Sequence, residues 1–178
     1  MNKRLAMKKF ILLLTLTTAL TFAFAQQDPR TWLAARLRAA DTVVLVSHET
    51  PAQMQMARRE PGTPPPEYGS QLLLNGRPNP RIIKEQRGIT GPALDTLINI
   101  LTKAYADDAP GFSLCFAPHH TIFLIKDGVV SFIDLCFHCL NFGASADLGP
   151  LQGKNFSRRK WADLRQYFIS QGFRYALQ

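Results

Sequence analysis

Two apolar runs, Phe112–Ile125 and Val129–Leu140, are joined by Lys126-Asp127-Gly128. That arrangement constrains the fold more than any other stretch of the chain. Apolar runs either side of Asp-Gly predict a β-hairpin, because a two-residue turn needs left-handed backbone that Asp and Gly adopt readily. Ile122, Leu124, Ile133 and Leu135 fall on one face, and Phe123, Ile125, Val130 and Phe132 on the other. A hairpin apolar on both faces must be central and covered on both sides. The composition agrees with a packed core: 46% of residues are hydrophobic and 19% charged. This excludes a disordered, collagen-like or coiled-coil chain.

Around the hairpin the sequence predicts an α+β domain, a small antiparallel sheet against two main helices. Thr42–Val46 reads as a buried strand, with Thr31–Leu37 a short helix or lead-in before it. The Pro-rich stretch 58–67 is a loop. Tyr68–Leu74 reads as a second strand ended by Asn75-Gly76-Arg77-Pro78, and Arg81–Lys84 as a short third. Leu94, Leu97, Ile98, Leu101 and Tyr105 recur at helical spacing, predicting a helix over 91–106 with Thr90 at its N-cap. Beyond a Gly-rich loop at 143–153, Ser157 caps a last helix over 157–171, closed by Gly172. Trp32 and Trp161 are expected in the core.

Residues 1–25 have the form of a cleaved secretory signal. A basic stretch, Lys3–Lys9, precedes an apolar run of 11 residues, Phe10–Leu20, and a small-x-small site at Ala23-Phe24-Ala25. The run is too short to cross ~30 Å of hydrocarbon as a helix. The mature chain, 26–178, is then expected to be one domain in the periplasm or outside the cell, without a membrane span. Removing the leader also removes Lys3, Arg4, Lys8 and Lys9 and leaves 17 basic against 13 acidic residues. That excess is ordinary solubilising charge and predicts no nucleic-acid partner. The expected partner is an envelope or extracellular molecule.

The open end of the hairpin gathers the reactive residues. With a two-residue turn, Lys126 meets Val129, Thr121 meets Asp134, His119 meets Cys136, Ala117 meets His138 and Phe116 meets Cys139. With a three-residue turn, Cys115 faces Cys139 and Pro118 faces Cys136. Either register collects Cys115, His119, His120, Cys136, His138 and Cys139, which include all three cysteines and three of the four histidines.

Three chemistries fit such a cluster. In a metal site, Cys115, Cys136, Cys139 and one histidine form a Cys3His set for Zn2+ ahead of Cu+, provided the chain curls between Cys136 and Cys139. A straight strand would instead offer Cys136, His138 and His119 with an open coordination position. In an oxidising compartment the cysteines could form a disulfide, Cys115–Cys139 or Cys136–Cys139, in a binding or scaffold domain. The Cys136-Phe137-His138-Cys139 motif could also serve thiol redox chemistry. It does not open a helix, however, which separates it from thioredoxin-like sites.

The motif pair Cys115-x-x-Pro118-x-His120 and Cys136-Phe137-x-Cys139 resembles a group of small exported bacterial proteins. These have a Cys-x-x-Pro-x-His strand, a turn, and a strand ending in Cys-Phe-x-Cys. The resemblance spans residues 90–142 and implies no activity. It implies that Cys115, Pro118, His120, Cys136 and Cys139 act together, and that His120 matters more than His119. The group has Arg before that histidine and an acidic residue between the last two cysteines, so His119 and His138 depart from its pattern. The expected metal ligands are therefore Cys115, His120, Cys136 and Cys139, with His119 and His138 as alternates. Whether the closed site is structural or an open one hydrolytic is not fixed by these residues.

Elsewhere, Ser47-His48-Glu49 reads as a solvated strand end, since no nucleophile motif accompanies it. Arg58-Arg59 and Arg158-Arg159-Lys160 read as solvated surface, and Asp107-Asp108 as loop.

Overall fold

The computed structural model describes residues 28–50, 71–105, 115–151 and 155–177. The leader at 1–25, the Pro-rich stretch at 58–67, Arg58-Arg59, Asp107-Asp108 and Phe112–Leu114 lie outside the described residues.

The fold is α+β. A helix α1 (Pro29–Ala39) leads into β1 (Thr42–His48). A two-residue ladder of β2 (Leu73–Leu74) and β3 (Arg77–Pro78) precedes β4 (Ile83–Ile89) and helix α2 (Gly91–Thr102). The hairpin β5 (His120–Lys126) and β6 (Val129–Cys136) follows, then β7 (Asn141–Ala144), a 3-10 segment (Ala146–Leu151) and helix α3 (Arg158–Ser170). The main sheet is antiparallel, in the order β4-β1-β5-β6-β7.

The hairpin is central, as its two apolar faces require, with β5 the middle strand of five. Its turn holds two residues, Asp127 and Gly128, both left-handed with φ of 50° and 77°. Lys126 pairs with Val129 and Thr121 with Asp134, which selects the two-residue register. One face carries Val43, Leu45, Ile122, Leu124, Ile133 and Leu135 into the main core beneath the helices, with Trp161, Leu164 and Phe168 of α3. The other carries Val46, Phe123 and Phe132 against Leu72, Ile82 and Ile83. Trp161 is buried and Trp32 packs half-buried against the core.

Several boundaries differ from expectation. Helix α2 ends at Thr102 rather than 106, because Lys103 is extended (ψ 133°). Thr90 occupies the N-cap but makes no side-chain cap bond. Of the strand expected over Tyr68–Leu74, residues 68–70 lie outside the described residues, residues 71–72 are turn and Leu73–Leu74 is strand, ended by left-handed Asn75 and Gly76. The expected short strand at Arg81–Lys84 is instead the seven-residue β4. Its run Lys84-Glu85-Gln86-Arg87 looks unlike a strand because β4 is an edge, and edges carry charge. Within the loop predicted at 143–153, β7 and the 3-10 turn form. The last helix keeps its predicted ends: Ser157 Oγ accepts from the Lys160 amide at 3.2 Å, and Gly172 is left-handed at φ 94°. Residues 29–39 form a third helix of 11 residues where only a short one was expected.

Candidate functional site

Strand β6 stops at Cys136 because residues 137–140 turn, with Leu140 left-handed at φ 51°, and the chain returns as β7. The predicted pairings of Ala117 with His138 and Phe116 with Cys139 do not form, since both partners lie in this turn. Cys115–His119 precedes β5 without regular structure. The turn supplies the curl that a Cys-x-x-Cys pair needs. Cys136 and Cys139 are disulfide-bonded, with Cα atoms 5.2 Å apart. The Cys139 amide donates to Cys136 Sγ at 3.1 Å. Cys115 Sγ reaches the same spot from the segment before β5, 2.8 Å from Cys139 Sγ. The three sulfurs meet as predicted. Cys136 and Cys139 are buried, whereas Cys115 is exposed.

Phe137 explains why the turn lies where it does. Its ring packs edge-on to Trp161 at 5.8 Å and Phe168 at 5.5 Å, so the residue between the cysteines anchors their loop to α3. His120 joins this aromatic cluster, 4.9 Å from Phe137 and 5.2 Å from Phe168. It pairs with Leu135 and so lies on the helical face, whereas strand alternation turns Cys136 to the opposite face with Asp134. Its Nε2 is buried and has no hydrogen-bond partner. Burial drives the imidazole down to about 3, and repulsion from the His48 ring adds to this against a hydrogen bond to the Tyr175 backbone. The ring is thus neutral at neutral pH, with a nitrogen lone pair available.

The alternates occupy different places. His119 is half-buried, with Nδ1 3.1 Å from the His48 carbonyl and its ring edge-on to Tyr175 at 5.9 Å. His138 is exposed on the turn. Among the described residues, no three His, Cys, Asp or Glu side chains are placed to hold a metal ion. Bonded to each other, Cys136 and Cys139 have no thiolate to offer one.

A polar cluster on the Cys136 face reverses the reading of Ser47-His48-Glu49 as a solvated strand end for Ser47 and His48, while Glu49 is exposed as expected. Ser47 and His48 are fully buried. His48 Nε2 lies 3.1 Å from Asp134 Oδ1 and 2.9 Å from Thr121 Oγ1, and Thr121 donates to Asp134 at 2.8 Å. His48 Nδ1 faces the Glu49 carbonyl at 2.9 Å. Both ring nitrogens are thus matched to oxygen partners inside the sheet. The one available signal was that Thr121, Asp134 and Cys136 share a face of the predicted hairpin. Nothing local placed β1 beside them.

Lys160 also departs from its expected solvated position. It is buried, its Nζ donates to the Leu101 carbonyl at 2.6 Å, and it sits 5.2 Å over the Phe156 ring. Burial lowers the amine to about 8. It closes the C-terminal end of α2, where a cation is favoured. Arg158 and Arg159 are exposed as expected.

No helix among the described residues is long and apolar enough to cross a membrane. No protein-family model, curated protein or solved structure matches the chain.

Proposed function

We propose that this chain is an exported domain whose chemistry is thiol–disulfide exchange at the Cys115, Cys136 and Cys139 cluster. Its partners are thiols or disulfides of the envelope or the extracellular space. The observation that carries the reading is the third sulfur: a purely structural bridge has no use for a cysteine 2.8 Å from one of its own atoms. The backbone supports it, because the Cys139 amide is aimed at Cys136 Sγ, where it would stabilise a thiolate once the bridge opens. The test is equilibration of the folded protein in glutathione buffers, followed by thiol alkylation and intact mass. The closed and open bridge should redistribute while the fold persists. A bridge that stays shut until the domain unfolds would reduce the chain to a disulfide-stabilised binding or scaffold domain.

His120 supports a second reading, metal binding by the reduced form. The buried imidazole nitrogen without a partner and the three sulfurs would make a Cys3His donor set, suited to Zn2+ and next to Cu+, if opening the bridge let the turn at 137–140 bring Cys136 round from the opposite face of the strand. Zinc titration of the reduced protein, with elemental analysis, should give one metal per chain, lost in Cys136→Ser. Absence of stoichiometric zinc in the reduced wild type would remove this reading.

A further inference from the structure

The exchange reading leaves open how a buried bridge communicates with a partner outside. Cys136 and Cys139 are only 1% and 2% exposed, so an external thiol has no direct approach to either sulfur. Cys115 is exposed and touches Cys139. We infer that Cys115 is a shuttle that carries the disulfide from the buried Cys136–Cys139 pair to the surface, an inference that rests on the proposed exchange activity.

The steps balance. The Cys115 thiolate attacks Cys139 Sγ; the Cys115–Cys139 bond forms, the Cys136–Cys139 bond breaks, and the electron pair leaves on Cys136. The departing sulfur already accepts the Cys139 amide hydrogen, which makes Cys136 rather than Cys139 the better leaving group. An external thiolate then attacks the exposed Cys115 sulfur. A mixed disulfide forms, and the pair leaves on Cys139. A second external thiolate attacks the partner's sulfur in that mixed disulfide and releases Cys115. Two thiols become one disulfide, and the protein's single bridge becomes two thiols, with Cys115 restored. The substrate class is therefore a thiol able to reach a surface cysteine, and the buried pair acts as the store of oxidising equivalents.

The test follows opening of the bridge by reduced glutathione, read by alkylation and mass. Cys115→Ser should keep the Cys136–Cys139 bridge yet open it at least about tenfold more slowly, since the intramolecular attacking sulfur is gone. In Cys136→Ser, mild oxidation followed by peptide mapping should yield a Cys115–Cys139 bridge. The shuttle is overturned if Cys115→Ser opens at the wild-type rate, a result that leaves the exchange activity standing. Wild-type protein inert to glutathione would instead remove the exchange activity itself. Should Cys136→Ser not fold, the same isomer is sought by acid-quenching wild-type protein during reduction. Its absence there, with the glutathione mixed disulfide found on Cys136 or Cys139, also overturns the shuttle.

Discussion

His48 Nε2 lies 3.1 Å from Asp134 Oδ1, and neither side chain has any exposure to solvent. A buried hydrogen-bonded pair contributes little beyond what apolar residues of the same size would, but a buried polar group left without its partner is costly. Asp134→Ala, which leaves His48 and Thr121 without their shared acceptor, is therefore expected to cost about 1–3 kcal/mol or more in urea unfolding. Replacing both His48 and Asp134 with Leu should cost clearly less than the sum of the single changes. A loss below about 1 kcal/mol for Asp134→Ala would show that water reaches the pair.

His120 predicts an acid sensitivity. Its ring takes a proton only near about 3 in the fold, against 6.5 in the unfolded chain. Between these values the unfolded chain binds more protons, so stability rises with pH across the window and is fully present above it. This histidine alone contributes up to ~1.4 kcal/mol per pH unit. Unfolding measured at pH 4, 5 and 6 should show a slope shallower by about that amount in His120→Leu. Identical slopes would mean that the ring is not held neutral.

Glu85 ties the C-terminus to the sheet. Its carboxylate accepts from Ser47 Oγ at 2.6 Å and from the Arg174 and Tyr175 amides at 3.0 and 3.2 Å. Burial pushes the carboxyl up, but these donors together outweigh it and hold the group below its ordinary value. The stabilisation is thus present above pH 4.5 and lost as the carboxylate protonates. Glu85→Ala should cost about 1–3 kcal/mol and speed hydrogen exchange at Arg174 and Tyr175. Unchanged exchange there would show that something else holds the segment.

The hairpin turn sets the register that brings Cys115 to the bridge. Gly128 sits at φ 77°, which β-branched residues strongly disfavour. Gly128→Val should cost about 1–2 kcal/mol, read as a lower urea midpoint with an unchanged slope. Wild-type stability in this variant would mean that the turn readily adopts another form.

How much of this was legible depended on whether the information was local. Asp127-Gly128 and the apolar runs either side of it specify the hairpin without help from the rest of the chain but leave two registers open, of which the structure takes the two-residue one. Ser157 and Gly172 likewise specify the ends of α3 locally. The edge strand β4 was only partly visible, because a strand with one free edge needs little hydrophobic content. The meeting of Cys115 with Cys139 was foreseeable, since hairpin pairing joins residues near in sequence.

Which cysteines bond was settled by the curl at 137–140, where Phe137 docks on α3 and swings Cys139 back onto Cys136. The burial of His48 beside Asp134 depended on β1 pairing with β5, across a separation of 86 residues. Propensity and periodicity act over a few residues, whereas the company a side chain keeps is decided by which strands become neighbours. The amino-acid order of this chain accordingly determined its elements and the assembly of its sulfurs. Only the packed sheet decided which two sulfurs bond and which polar groups are sealed from water.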